Sequence, residues 1–199
     1  MPTKARTAKI KRKTGETDIS IELNLDGKGV YNVQTGIPFF NHMLELFTKH
    51  GLFDLTVKAK GDIEVDFHHT VEDVGIALGE AIKKAAGDKK GINRYGVAEV
   101  PLMDALTKVV LDLCDRPYLV YKVKIKPATR PDEFDPELIQ EFMRGLSTSA
   151  GMDLHINLQY GNDKHHCQET IFKAFGRALK VAVTKDPRIK GVMSTKGKL

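Results

Sequence analysis

Apolar positions along the chain follow two periods, and these predict a mixture of strands and helices. Apolar and polar residues alternate near the N-terminus, where Ile19, Ile21 and Leu23 share one face of a predicted strand at 20–25. Further strands are predicted at residues 53–59, 98–102, 108–113, 118–124 and 154–160. Helical spacing predicts helices at 38–49, 74–86, 136–149 and 165–184, and Pro38 suits the first turn of the first helix. Strands and helices mixed in this way, joined by hairpins as well as crossovers, indicate the α+β class.

An internal repeat divides this pattern into two halves. His68-His69-Thr70-Val71-Glu72 leads into one predicted helix, and His165-His166-Cys167-Gln168-Glu169 begins another. The repeats cover about residues 5–92 and 93–190, and a tail at 191–199 follows. Because no linker separates the repeats, we predict one domain over residues 1–199. Its fold is an internally duplicated α+β arrangement with sheets packed on helices, whose halves are related by a pseudo-twofold axis.

The composition is typical of a globular protein, with 199 residues of which 41% are hydrophobic and 29% charged. No apolar run approaches the ~20 residues that a membrane-spanning helix needs, so no membrane partner is expected. The N-terminal segment 1–13 is basic and has no apolar core behind it, unlike a secretory signal. The two cysteines, Cys114 and Cys167, argue against a disulfide framework and fit a reducing compartment, so we expect a cytoplasmic protein.

The net charge of +5 comes partly from the chain ends. The terminal basic residues are Lys4, Arg6, Lys9, Lys11, Arg12, Lys13, Lys190, Lys196 and Lys198. We interpret them as solubilising charges on frayed ends. The alternative is attraction of an anionic substrate or of nucleic acid, and charge alone does not separate the two.

Each His-His-x-x-Glu motif places metal-ligating side chains at the start of one helix. Residues three and four apart share a helix face, so Glu72 lies near His69 and His68, and Glu169 stands in the same relation to the second histidine pair. Imidazole and carboxylate groups suit divalent metals such as Mn, Fe or Zn. Adjacent histidines point in different directions, so one pair can serve two metals. A single motif is also typical of a solvated helix start, but two with identical spacing exceed chance.

These residues and their neighbours resemble the imidazoleglycerol-phosphate dehydratase family. The first matching segments are Phe39-Phe40-Asn41-His42-Met43, Gly61-Asp62 and Asp66-Phe67-His68-His69-Thr70-Val71-Glu72-Asp73. The second are Asn162-Asp163-Lys164-His165-His166 with Glu169 and residues 172–179. Residues 12–17, 194–197 and Arg116-Pro117-Tyr118 match as well. The resemblance covers nearly the whole chain, and the paired motifs are highly specific.

The resemblance implies a fold, an assembly and a reaction. The fold would be a doubled βαβ-type unit similar to the second domain of ribosomal protein S5. The assembly would be a homo-oligomer, a 24-subunit cage with active sites between subunits and two Mn²⁺ ions per site. The reaction would be a hydro-lyase step of L-histidine biosynthesis that dehydrates D-erythro-imidazoleglycerol phosphate to imidazole-acetol phosphate.

The chemistry of that phosphorylated imidazole substrate explains a dinuclear site. The proton to be lost is on a carbon with no adjacent carbonyl, so no enolate can hold the charge. Two metals on the two ring nitrogens would stabilise an imidazolate, which can expel the neighbouring hydroxyl through a diazafulvene-like intermediate.

The resemblance also implies two sets of metal ligands. One metal would be held by His42, His69, His166 and Glu169, and the other by His68, Glu72 and His165. The family commonly has a further histidine ligand at the position that repeats His42, where this chain has Glu141. We interpret Glu141 as a substitute ligand. The alternative is a surface helix glutamate, with water completing the metal shell.

Acid–base and phosphate roles follow from the same resemblance. Glu16 is a candidate general base in contact with the substrate, and Glu72 and Glu169 are alternatives that could act both as ligand and as base. The implied phosphate contacts are Arg94, Arg116, Lys173, Ser194 and Lys196. Lys173 lies two turns beyond the second histidine pair, whereas the first half has Ile76 there, so the phosphate role is kept in one half.

Three other functions remain open from the residues alone. They are a dinuclear hydrolase that uses a metal-bound hydroxide, a metal-storage cage and an S5-like RNA-binding module. RNA binding would need stacking aromatics on one basic face. The aromatic residues Phe39, Phe40, Phe47, Phe53, Phe172 and Phe175 instead follow core-like patterns, so no nucleic-acid partner is expected.

Overall fold

The computed structural model describes residues 5–130 and 133–199, which form two four-stranded sheets and four helices. The first half contains β1 (Thr7–Lys13), β2 (Thr17–Asn24), β3 (Tyr31–Gln34), α1 (Pro38–Gly51), β4 (Asp54–Gly61) and α2 (His68–Ala86). The second contains β5 (Tyr95–Leu102), β6 (Ala105–Asp112), β7 (Tyr118–Lys122), α3 (Glu137–Ala150), β8 (Asp153–Tyr160) and α4 (Lys164–Val183). The predicted α+β class with two similar halves is confirmed.

The two sheets share one topology. Their strand orders are β1-β2-β4-β3 and β5-β6-β8-β7, in which the last pair is parallel and the other pairs are antiparallel. The register agrees as well: Ile21 lies opposite Val57 in the first sheet, and Val109 lies opposite Ile156 in the second. The β6–β8 pair differs only by a register shift between Leu106 and Thr107. A position in one half can therefore be matched to its counterpart through the strand pairing.

The helices pair crosswise between the halves. Helix α2 packs on the first sheet and α4 on the second, while α1 packs against α4 and α3 against α2. The buried apolar residues of both halves consequently form one contiguous core. Five of the aromatic residues predicted to be in the core (Phe40, Phe47, Phe53, Phe172 and Phe175) are buried there, and Phe39 is partly buried against it.

Two equivalent glycines allow the paired helices to approach closely. A Cβ atom on Gly176 of α4 would lie against the carbonyl oxygen of Phe47 in α1, nearer than van der Waals contact permits. A Cβ atom on Gly79 of α2 would meet the carbonyl oxygen of Leu146 in α3 in the same way. Both helix pairs thus depend on the absence of a side chain at one position.

The structure corrects the interpretation of the basic N-terminus as a frayed end. Residues Thr7–Lys13 form the edge strand β1, which pairs along its length with β2 and buries Ala8. Lys4, which belonged to the same interpretation, lies outside the described residues. Lysine side chains on an edge strand oppose pairing with other chains, which accounts for the charge there.

The short strand β3 was also not predicted from the sequence, because Val33 is its one buried residue. Within the described residues, no helix is long and apolar enough to cross a membrane.

A Gly176→Ala substitution is expected to destabilise the protein. Alanine favours a helix over glycine by about 1 kcal/mol. The added methyl group would nevertheless force α1 away from α4, and such overpacking costs about 1–3 kcal/mol. We expect a lower free energy of unfolding in chemical denaturation.

Gly15→Ala is the matched control, because a Cβ atom there would meet nothing within 4 Å. It should leave the free energy of unfolding within about 0.5 kcal/mol of the parent value. A Gly176→Ala protein as stable as this control would contradict the role assigned to the helix contact.

Candidate metal and phosphate sites

The contact between α1 and α4 brings three possible metal ligands together. Nε2 of His42 lies 3.0 Å from Oε1 of Glu169, and Nε2 of His165 lies 2.8 Å from the same oxygen. Among the described residues, these three form the one group of three or more His, Cys, Asp or Glu side chains whose ligand atoms lie within 4.8 Å of one another. Two helices from different halves therefore build this cluster.

Glu169 is held ionised at the centre of the cluster. Nζ of Lys173, one turn further along α4, donates a 2.6 Å hydrogen bond to Oε2 of Glu169. Burial alone would raise the pKa of this carboxyl group, but hydrogen bonds from Lys173, His42 and His165 outweigh it and lower the pKa to about 2. An ionised carboxylate between two imidazoles is a suitable donor set for a divalent metal.

The equivalent positions in the first half are arranged less tightly. Nε2 of His68 lies 3.5 Å from Oε2 of Glu72 on α2. Glu141 of α3 occupies the position of His42, but its Oε2 accepts a 2.9 Å hydrogen bond from Nη1 of Arg144 on the same helix. Glu141 therefore lies on the helix that packs against α2, with its carboxylate paired to a cation.

The second histidine of each pair has an aspartate on its Nδ1 atom. Nδ1 of His69 lies 3.0 Å from Oδ2 of Asp62, in the loop between β4 and α2. Nδ1 of His166 lies 2.7 Å from Oδ1 of Asp104, in the turn between β5 and β6. Since an ionised carboxylate only accepts hydrogen bonds, Nδ1 is the donor in each pair and Nε2 keeps the lone pair of the neutral ring.

These contacts shift the pKa values of the groups involved. The hydrogen bond with Asp62 raises the pKa of His69, and the hydrogen bond with Asp104 raises that of His166. The backbone N–H of Asp163 and the ring of His166 hold the pKa of Asp104 well below its usual range. Both aspartates are thus anchored to an imidazole.

Local structure at the helix starts fixes how the histidines point. Asp163 caps α4, because its side chain accepts a 2.9 Å hydrogen bond from the backbone N–H of His166. Neighbouring rings are nearly perpendicular, at 87° for His68 and His69 and 84° for His165 and His166. The prediction that adjacent histidines point in different directions is confirmed.

A partly buried ion pair supports the turn that carries Glu16. Nη2 of Arg12 donates to Oδ1 of Asp73 at 2.8 Å, and Oγ1 of Thr17 donates to Oδ2 of Asp73 at 2.6 Å. The backbone N–H of Glu16 in turn donates to Oγ1 of Thr14. Glu16 lies at the tip of this β1–β2 turn, with its Oε1 3.8 Å from Nε2 of His69.

Four of the five predicted phosphate contacts line one cavity. Arg94, Arg116, Ser194 and Lys196 surround an open space of about 770 Å³ at the C-terminal tail. Lys173 does not line this cavity, because it is bonded to Glu169 in the cluster of α1 and α4. Within one chain, the predicted phosphate-binding residues therefore lie in two separate places.

Arg94 ties the tail to the second sheet. Its Nε and Nη2 atoms bind the two oxygens of Asp112 at 2.6 and 2.7 Å, and Nη1 donates to the carbonyl oxygen of Met193 at 2.7 Å. The paired carboxylate raises the pKa of the guanidinium group further. Arg116, Ser194 and Lys196 are consequently more available to a ligand than Arg94 is.

Two features of the site were not foreseen from the sequence. His42 and His165, which the resemblance assigns to different metals, both contact Oε1 of Glu169 within one chain, and the division of the ligands between two metals stays a prediction. Asp104 was not identified from the sequence, and Asp62 was noted without a role. Both lie in loops where periodicity carries no information, and only the strand register shows that Asp104 occupies the position of Glu16.

Fold and site together define the class as a duplicated α+β protein with a candidate imidazole–carboxylate metal centre. A family model described as imidazoleglycerol-phosphate dehydratase matches residues 35–179. The imidazoleglycerol-phosphate dehydratase of Acetivibrio thermocellus is 56% identical over 98% of this chain and 99% of its own, and that of Syntrophus aciditrophicus is 55% identical over 96% and 98%. The chain belongs to the imidazoleglycerol-phosphate dehydratase family and is an enzyme of this kind, a lyase of histidine biosynthesis.

Solved structures of the family have the same fold. Imidazoleglycerol-phosphate dehydratase from Staphylococcus aureus matches with a TM-score of 0.81 at 36% identity, over 90% of this chain and 99% of that one. The Pyrococcus furiosus enzyme, solved in complex with (S)-C348, matches with a TM-score of 0.82 at 35% identity, over 96% and 100%. The similarity extends over both halves.

Proposed function

We propose that this chain dehydrates imidazoleglycerol phosphate to imidazole-acetol phosphate with two divalent metals, which we expect to be Mn²⁺. The observation that carries the metal proposal is the convergence of His42 and His165 on one oxygen of Glu169. Their donor atoms come from helices of different halves, so local sequence spacing does not bring them together.

The residues fit divalent metals at both motifs. The expected ligands are His42, His68, His69, Glu72, Glu141, His165, His166 and Glu169. Imidazole nitrogen and carboxylate oxygen suit Mn²⁺, Fe²⁺ and Zn²⁺ alike. Glu141 can take the place of a histidine because a carboxylate also ligates manganese, provided that it releases Arg144.

Glu16 is the residue that we expect to move the proton. The bound metals would supply the Lewis acidity that lets the imidazole ring of the substrate carry negative charge while the hydroxyl group leaves. Glu16 would take the proton from the carbon adjacent to the one that bears the departing hydroxyl, and this proton and the hydroxide together make up the water that is lost. The enol left behind would tautomerise to the ketone of imidazole-acetol phosphate. The exposed carboxylate of Glu16 is near His69, and its turn is held by the hydrogen bond from the backbone N–H of Glu16 to Oγ1 of Thr14. Glu72 and Glu169 are less suited, because their carboxylates are expected to ligate the metals together with the histidines that they contact.

The phosphate group would be bound by cations at the C-terminal tail. Arg116 offers a planar fork of N–H donors, Lys196 a point charge and Ser194 a hydroxyl group. Arg94 would act through the tail that it holds, and Lys173 would contribute from a different part of the chain.

The separation of these parts supports a homo-oligomer with active sites between subunits, which we expect to be the 24-subunit cage. Within one chain, the cationic cavity and the cluster at Glu169 have no lining residue in common. The ligand histidines also remain accessible; 53% of the His165 side chain and 43% of that of His42 are exposed. A neighbouring copy that supplied the missing part would cover them.

The central test is an assay for imidazole-acetol phosphate with metal-stripped protein, with and without added Mn²⁺. We expect no product without metal and restored turnover with it, because the ring must be polarised to lose its proton. Simple phosphate esters serve as control substrates, and hydrolysis of these instead would favour a hydrolase. Metal binding without any turnover would favour a storage cage.

Glu16→Gln is expected to lower kcat by about 100-fold or more, because a positioned general base contributes about 10²–10⁴-fold. The affinity for Mn²⁺ should change little. The control is Glu22→Gln, since Glu22 pairs with Lys9 on the exposed face of the first sheet. An unchanged kcat in the Glu16→Gln protein would leave Glu72 and Glu169 as the candidates.

Glu141→Ala tests the proposed substitute ligand. We expect the stoichiometry or affinity of Mn²⁺ binding, measured by metal titration, to fall in this variant. Arg144→Ala, which removes the partner of Glu141, is the companion variant and should not weaken binding. Equal metal content and affinity in wild-type and Glu141→Ala proteins would remove Glu141 from the site.

A further inference from the structure

Both halves attach a carboxylate to the same ring nitrogen of the second histidine, but they take it from different loops. In the first half, Asp62 comes from the loop that precedes α2. In the second half, Asp104 comes from the turn between β5 and β6. Duplication of one ancestral contact would place the carboxylate in the same loop in both halves. The two halves therefore make the same contact at Nδ1 with residues from non-equivalent loops.

The strand register identifies the counterpart of Asp104 in the first half. Asp104 immediately precedes β6, and Glu16 immediately precedes β2. Strands β2 and β6 pair with β1 and β5 in equivalent registers, with Lys13 opposite Asp18 in the first half and Pro101 opposite Leu106 in the second. Glu16 is therefore the residue that would orient the first histidine pair if the halves were identical. Its Oε1 is instead 3.8 Å from Nε2 of His69, the nitrogen that Asp62 does not occupy.

We propose that Asp62 and Asp104 are positioning residues of the metal centre. In the first half, Asp62 has the role that Asp104 has in the second, which is to orient the second histidine of the pair. Glu16, the counterpart of Asp104, is therefore free to face the substrate. This inference rests on the proposed metal-dependent function. Each aspartate would keep one imidazole in the Nδ1-protonated tautomer, with the Nε2 lone pair directed at the metal.

The physical reason is the ambiguity of a neutral imidazole. Its proton can be on either nitrogen, and its ring can rotate, so a free histidine presents a lone pair in several directions. A carboxylate that accepts from Nδ1 selects one tautomer and one ring orientation, and it makes the ligating nitrogen more basic. Loss of such a partner typically weakens metal binding about 10–100-fold.

Asp62 is the better residue for the test. Oδ2 of Asp104 accepts hydrogen bonds from the backbone N–H groups of Asn162 and Asp163 at 2.8 and 2.9 Å, so its removal would also loosen the loop before α4. The hydrogen bonds described for the Asp62 side chain go to His69. Asp62→Ala should therefore remove the contact to the ring with little other change.

The experiment measures Mn²⁺ affinity of the metal-stripped full chain by competition with a chelator. We expect Asp62→Ala to weaken binding about 10–100-fold. Asp62→Asn should recover most of the affinity, because its amide oxygen can still accept from Nδ1. Asp104→Asn is not an equivalent variant, because its single amide oxygen cannot accept both from Nδ1 of His166 and from the backbone N–H groups of Asn162 and Asp163.

A matched control exists on the second sheet. Oδ1 of Asp153 lies 3.1 Å from Nε2 of His155, an exposed pair on β8 outside the candidate site. Asp153→Ala also removes an aspartate from a histidine and should leave Mn²⁺ affinity unchanged.

The tautomer itself gives a readout that a purely structural role would not move. In metal-free protein with ¹⁵N-labelled histidine at mildly alkaline pH, the ¹⁵N shifts should show Nδ1 of His69 protonated in wild type and the proton moving to Nε2 in Asp62→Ala. A folded Asp62→Ala protein with wild-type affinity, or a wild-type His69 protonated at Nε2, would overturn the proposal. The wild-type spectrum decides even if Asp62→Ala does not fold. Wild-type protein that binds no Mn²⁺ would instead refute the proposed metal-dependent function.

Discussion

The close contact of α1 with α4 is the constraint on which the candidate metal centre depends. Gly176 lets the two helix backbones approach, and this approach brings His42 onto the carboxylate of Glu169. The same core packing buries the phenylalanines of both helices, so the geometry of the cluster is supported by apolar contacts of the whole domain. A displacement of either helix would separate the ligand atoms before it exposed much of the core.

The duplicated scaffold has kept its backbone and changed its chemistry. The strand order and helix pairing agree between halves, and both helix pairs rely on a glycine at the same position. The side chains differ where they would meet a substrate or metal: the second half has Lys173 and the first half Ile76, and Glu141 replaces the repeat of His42. Helix packing restricts the two glycines, whereas Lys173, Ile76 and Glu141 lie on partly exposed helix faces where the side chain can change.

Much of the fold follows from the sequence, and the site follows only in part. The four predicted helices and all six predicted strands are present, because apolar residues recur on one face of each, as with Ile19, Ile21 and Leu23. Strand β1 was not predicted because its only apolar residues are Ala8 and Ile10, in a segment otherwise rich in lysine and arginine. The histidine motifs could be found because helical spacing is local. The contact of His42 with Glu169 and the anchoring of His166 by Asp104 depend on long-range packing and strand register, which no local pattern records.

The crosswise pairing of helices also bears on the origin of the fold. A single half contains α1 and α2, but the partner of each is in the other half, so on its own it would expose the apolar faces of both. A half-length ancestor could have covered those faces by pairing with a second copy of itself, with helices reciprocally packed. Fusion of two such genes would have turned an intermolecular symmetry into an intramolecular one. Only after that fusion could the two copies of each position acquire separate tasks.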